Sequence, residues 1–166
     1  MTKYIKLFVI SVAILGGILL CVSLMLPATV KVSRTAWLRA GEGTVDSALD
    51  RCTIWKHLLP GLEQANMVSG NDKTCIFESE GKKLTIKPVK SERPHARAFE
   101  LFQQNKFSGV YYFETVAQGD STAIVWTYLY ETKGNLARRF QSLVSERSMG
   151  MVMQQGLNAL KKELEL

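Results

Sequence analysis

Ser145 to Leu166 reads SERSMGMVMQQGLNALKKELEL, and the partner this stretch needs decides the fold. It contains no proline, and Val152 is its single β-branched residue. Leu, Met, Ala, Gln, Lys and Glu fill it, and these lose little rotamer freedom in a helix. Met149, Val152, Met153, Gly156, Leu160 and Leu164 recur at three- and four-residue spacing and form one apolar stripe. Gln154, Asn158, Lys161, Lys162, Glu163 and Glu165 occupy the other side. The spacing predicts a long amphipathic helix whose stripe must be covered by the preceding, mostly strand-like chain.

Moving outward, the 166 residues are 46% hydrophobic and 22% charged, which suits one domain with a real core and excludes a disordered chain. The net charge of +6 is spread among acids. Lys82-Lys83, Arg138-Arg139 and Lys161-Lys162 are isolated pairs rather than a basic patch, so no nucleic-acid partner is expected. Three cysteines and two histidines, with no C-x-x-C pair, give no metal site, and no cofactor is expected. Cys21 lies in an apolar run and reads as a small hydrophobe. Cys52 and Cys75 pair only if the domain lies in an oxidising compartment and their Cα atoms meet, and spacing alone leaves both states open.

Leu7 to Leu26, LFVISVAILGGILLCVSLML, carries no charge and has the length of a bilayer core. Lys3 and Lys6 precede it and Pro27 follows. A signal peptide is the competing reading. The run is long for one, Ala28 would need a small partner where Leu26 stands, and Ile18-Leu19-Leu20 before Cys21 lacks a lipoprotein's small residue. The expectation is a retained single-pass anchor over residues 1–28 and a folded domain over 29–166. Lys3 and Lys6 favour an inside N-terminus, against competition from Lys31, Arg34 and Arg39, so the domain is expected on the outer side.

Thr29 to Leu38 alternates as a first strand, with Val30, Val32 and Trp37 apolar. Ala40 to Gly43 turns. Thr44 to Leu59 is helical in pattern, with a break near Thr53, and Pro60-Gly61 stops it. From Asn66 onward the period is two: strands are expected at Thr74–Glu78, Lys83–Val89, Arg97–Gln103, Phe107–Val116 and Ser121–Glu131, joined by hairpin-length turns. Gly134-Asn135 leads into helix, first over Leu136 to Val144 and then over the terminal stretch. The order gives an α+β fold: a curved antiparallel meander closed on its concave face by the last helix.

In this order and texture the chain resembles the START-like (SRPBCC) superfamily, in particular the bacterial polyketide cyclase/dehydrase-type proteins of helix-grip fold. The resemblance lies in Val32-x-Arg34, Ile54-Trp55, Leu84-Thr85-Ile86-Lys87-Pro88-Val89, Phe107-Ser108-Gly109, Tyr112-Phe113-Glu114, Thr122-Ala123-Ile124-Val125-Trp126 and Gly156-Leu157-Asn158-Ala159-Leu160-Lys161. It spans Val30 to Glu165. It implies a cavity between sheet and helix, and a single N-terminal membrane helix directly before the domain is also seen in the group. With the lysine distribution above, the expected location is a bacterial inner membrane with the domain on the periplasmic side. Ala40-Gly41-Glu42-Gly43 departs from the group's proline-containing turn, and residues 62–73 lack its tryptophan-and-proline continuation. The group has many functions and no shared catalytic residue, so the resemblance implies a fold rather than a reaction.

For chemistry, Trp126, Tyr128 and Tyr130 share a strand face with Ile124, and Tyr112 and Phe99 are expected to reach the same surface. Met149 and Met153 would line the helix side. This set reads equally as the wall of an apolar ligand cavity and as a filled core. Glu100 and Glu114, on adjacent strands, are the weak candidates for an acid/base pair, against a solvent-facing reading. His57 and His95 read as surface residues. Three functions stand at this point. The first is a membrane-anchored domain binding a hydrophobic small molecule or lipid. The second is a non-enzymatic module with an envelope protein partner. The third is a cyclase or dehydrase acting on an aromatic or polyketide-like substrate.

Overall fold

A computed structural model describes residues 2–25, 29–69, 74–132 and 136–165, without the side chains of residues 2, 3, 23, 24, 69 and 136–145. Helix α1 spans Thr2–Met25. Strand β1 (Thr29–Leu38) is followed by α2 (Glu42–Leu49) and α3 (Cys52–Leu58). The strands β2 (Asn66–Ser69), β3 (Cys75–Ser79), β4 (Lys82–Val89), β5 (Ala96–Gln103), β6 (Lys106–Gln118) and β7 (Ser121–Glu131) come next, then α4 (Leu136–Leu164). Leu26, Pro27 and the Gly134-Asn135 turn lie outside the described residues.

The seven strands form one antiparallel sheet in the order β1-β7-β6-β5-β4-β3-β2. From β2 to β7 it is a meander, because each connection is too short to cross over. Two turns are two-residue hairpin loops with both residues left-handed, Glu80-Gly81 and Gln104-Asn105. That geometry matches the twist of the flanking strands. Only β1 departs from sequence order: it returns beside β7, where Val32 lies opposite Tyr128 and Arg34 opposite Trp126.

The concave face is apolar and α4 covers it. Met153, Leu157 and Leu160 are fully buried against Val30, Val32, Ile124 and Trp126. Trp55 enters from α3 and meets Phe99 edge-on at 4.9 Å and Phe113 at 5.8 Å, and Phe113 stacks on Trp126 at 5.2 Å. Each such buried side chain contributes roughly 1.5–3 kcal/mol from burial alone. A Cys52–Cys75 disulfide, with Cα atoms 5.4 Å apart, ties the start of α3 to the start of β3.

Beyond shifts of one or two residues at strand ends, four differences from the expected elements stand out. Helix α2 starts at Glu42, capped by Gly41, two residues before the expected Thr44. The break between the short helices falls at Asp50-Arg51 rather than near Thr53, where the Arg97 guanidinium reaches both the Asp46 carbonyl and the Asp50 carboxylate. Strand β2 was not expected; it is four residues long and its exposed Met67 and Val68 leave no alternation to read. Helix α4 is continuous rather than two pieces.

Candidate functional site: a cavity between sheet and terminal helix

The packing of α4 leaves a cavity of about 510 Å³ at one end of the concave face. Its interior is formed by Phe77, Leu101, Tyr111, Tyr128 and Met149, together with Leu59 and Leu62 from the loop after α3. Its mouth carries the exposed Glu80, Lys82, Lys83 and Gln103, from the β3–β4 turn and the end of β5. Volume and lining suit a small, largely apolar molecule.

Two tyrosines give this interior its polar character. Their rings meet at 5.0 Å, and Tyr128 Oη donates to the Ser108 carbonyl at 3.1 Å. Tyr128 can lie across β6 because residue 109 is glycine: a Cβ there would be 2.5 Å from Tyr128 Cε2. Burial raises the Tyr111 phenol well above its ordinary value, and the neighbouring Tyr128 adds to this. Burial also raises Tyr128; the Ser108 side chain opposes part of that and Tyr130 reinforces it. Both phenols are therefore neutral hydrogen-bonding groups in an apolar wall.

The residues singled out in the sequence divide into three sets. Tyr128 and Met149 line the cavity. Trp126, Ile124, Met153 and Phe99 are buried in the filled core beside it. Within that core Trp126 Nε1 has no hydrogen-bond partner among the described residues. Tyr130 is half-buried and stacks on Tyr128 at 5.6 Å, behind the lining. Tyr112 does not share the concave face: it lies on the outer face of β6 beneath the Arg93 guanidinium, 4.3 Å from its ring centre.

Glu114 lies on that outer face too and accepts from Arg93 Nη1 at 2.9 Å. Glu100 is opposite Lys87 on one side and Val110 on the other. The two carboxylates are offset by four residues along the ladder, roughly 13 Å, and form no acid/base pair. The reason is strand parity: Gly109, Tyr111, Phe113 and Thr115 of β6 face inward, so Val110, Tyr112 and Glu114 face out. Tyr111 is the residue this parity puts in the cavity. Glu114 carried the signal, since a carboxylate two residues from Tyr112 marks their shared face as the wet one. Among the described residues no three His, Cys, Asp or Glu side chains gather as a metal site.

This arrangement is the helix-grip fold of START superfamily proteins, with the terminal helix held by a curved antiparallel sheet and a cavity between them. Solved structures bear this out. A START superfamily protein from Mycobacterium smegmatis superposes with a TM-score of 0.58 at 13% identity, covering 81% of this chain and 97% of that one. The Zhui aromatase/cyclase from Streptomyces sp. R1128 gives 0.57 at 13% identity, covering 82% and 94%. The Aha1 dimer from Colwellia psychrerythraea gives 0.52 at 15% identity, covering 82% and 97%. No protein-family model and no curated protein matches the sequence. At such identities the likeness is one of fold, and the differing names of these proteins show how little the fold fixes chemistry.

Proposed function

We propose that this chain is a membrane-anchored binding domain that takes up a hydrophobic small molecule or lipid between its sheet and α4. The observation that carries the reading is the cavity of about 510 Å³ bounded by Phe77, Leu101, Tyr111, Tyr128 and Met149. Apolar walls with two neutral phenols hold a ligand by burial and orient it by one or two hydrogen bonds. Carboxylates are absent from the buried part of the lining, which favours binding over proton-transfer catalysis.

The anchor in this reading is residues 1–28, and the binding domain is residues 29–166. Supporting it, the apolar stretch Tyr4–Val22 of α1 has a mean hydropathy of 2.6 and its side chains are exposed. The Cys52–Cys75 disulfide fits an oxidising compartment, hence the periplasmic side of a bacterial inner membrane. Native mass spectrometry of the full-length chain, extracted with its membrane, tests the function. The expected result is a co-purified lipid-sized mass that the Met149→Trp variant loses. A bare protein mass, with no uptake of a fluorescent fatty-acid probe, would sink the proposal.

A second reading, an accessory module of an envelope assembly, is favoured by one feature of the outer face. Trp37 and Val116, 53% and 60% exposed, flank Ala123 across three strands. An exposed apolar row of this kind suits a protein partner.

A further inference from the structure

The sheet register fixes which end of the domain stands next to the anchor. Met25, the last described residue of α1, is four residues before Thr29, the first of β1. Four Cα steps reach at most about 15 Å, so β1 begins close to where α1 ends. One line of the ladder crosses five strands: Lys31, Leu129, Val110, Glu100 and Lys87. From that line toward the anchor, β1 continues for two residues, to Thr29. In the same direction β6 continues for four, back to Lys106, and β4 for five, back to Lys82. The β3–β4 and β5–β6 turns therefore reach past the start of β1 by two or three residues, roughly 7–10 Å.

What those turns carry is unusual for loop tips. Phe107, directly after the β5–β6 turn, is 48% exposed. Lys106 beside it and Lys82 and Lys83 in the other hairpin are exposed, against two exposed acids in that hairpin, Glu80 and Glu78, the latter opposite Lys83. On the neighbouring edge strand Met67 and Val68 are exposed as well. Aromatic side chains with flanking lysines settle at the interface of an anionic bilayer, the ring among headgroups and the charges on phosphates. The same end holds the cavity mouth, formed by Glu80, Lys82, Lys83 and Gln103.

From this coincidence we infer that the cavity mouth opens against the membrane surface. The β3–β4 and β5–β6 hairpin turns rest on anionic lipid through Phe107, Lys82, Lys83 and Lys106. A ligand then passes between bilayer and cavity without crossing bulk water. This rests on the reading of α1 as a membrane anchor.

The test uses the full-length chain reconstituted into vesicles of phosphatidylcholine and phosphatidylglycerol with brominated acyl chains. The substitution F107W adds a fluorophore at the turn. Trp37, at the other end of β1, is exposed and serves as the internal reference, while Trp55 and Trp126 are buried. The expected result is that brominated lipid removes the emission added by F107W and aqueous iodide does not, with K82E/K83E/K106E reversing that pattern. Vesicle flotation separates the two ways of failing. A chain that floats with the vesicles while the F107W emission answers only to iodide overturns the membrane-facing mouth and leaves the anchor standing. The same holds if residue 107 crosslinks instead to a second copy or to another protein. A chain that does not float overturns the anchor and the inference with it.

Discussion

Gly156 of α4 lies directly against the carbonyl oxygen of Leu58 at the end of α3. A Cβ at Gly156 would be 2.1 Å from that oxygen and 3.0 Å from the Trp126 ring. This contact is backbone on backbone, so neither side can yield by changing a rotamer. It sets how deeply α4 sinks into the sheet. Gly156 therefore serves close packing rather than extra cavity volume.

Gly156→Ala should consequently destabilise the domain by about 3 kcal/mol, the upper range for an overpacked site. Gly150→Ala is the control. A Cβ there would be 2.0 Å from Arg34 Nη2, the far end of a flexible side chain. That guanidinium can move, and alanine adds up to about 1 kcal/mol of helix propensity over glycine, so the net change should be near zero. Urea midpoints of both variants decide the matter. Equal midpoints would show that α4 has room to shift away from Leu58.

The disulfide offers a second measurement. Cys52 and Cys75 are 23 residues apart, and closing a loop of that size stabilises a domain by about 3 kcal/mol through the entropy of the unfolded chain. Reduction by dithiothreitol should lower the denaturation midpoint accordingly, as should Cys52→Ala with Cys75→Ala. A midpoint unmoved by reductant would mean that the thiols are not joined in the purified protein.

Alkaline pH should reveal the buried phenols. Tyr111 and Tyr128 have folded-state pKa values raised above the ordinary 10.0. An acid raised on folding keeps its proton when the unfolded chain has lost it. Its contribution to stability is intact below the unfolded value and falls as pH rises past about 10. Two of the five tyrosines should therefore stay silent in absorbance at 295 nm until the domain unfolds. Tyr111→Phe should flatten the loss of stability above that pH. Five tyrosines titrating together without unfolding would contradict the burial.

Binding should discriminate between the two faces of β6. Tyr112→Ala removes the ring beneath Arg93 and costs about 1 kcal/mol at an exposed cation–π contact. Uptake of a hydrophobic probe should be unchanged. Leu84→Trp fills the cavity from β4 and should abolish uptake with the fold intact, as judged by circular dichroism. Loss of uptake in Tyr112→Ala would return that tyrosine to the cavity wall.

How far the sequence could be read follows from what each signal depends on. The stripe of α4 was legible because Met153, Gly156 and Leu160 repeat with the helix, and all three are buried. The inward set of β7 was legible because the bulky Ile124, Trp126 and Tyr128 alternate with the smaller Ala123, Val125 and Thr127. Strand β6 was not, since Val110-Tyr111-Tyr112-Phe113 is apolar on both faces and only Glu114 breaks the tie. The cavity was implied by the resemblance, but no residue pattern separated it from a filled core. It is the volume that Met149, Leu101 and Phe77 fail to fill, and that depends on the depth at which Gly156 halts α4.

The sheet order has a last consequence, for synthesis. β2 to β7 each pair with the strand that follows or precedes them, so that part of the sheet can close as it emerges. β1 cannot, because its partner is the last strand made: Ser33 bonds Thr127 across 94 residues. At ordinary translation rates β1 waits on the order of 5–20 s for β7. During that interval Val30, Val32 and Trp37 form an open apolar edge, a template for unwanted pairing. Thr29 and Lys31, with Ser33, Arg34 and Thr35, interrupt that edge with polar groups, so the earliest strand of the domain is also one of its more soluble ones.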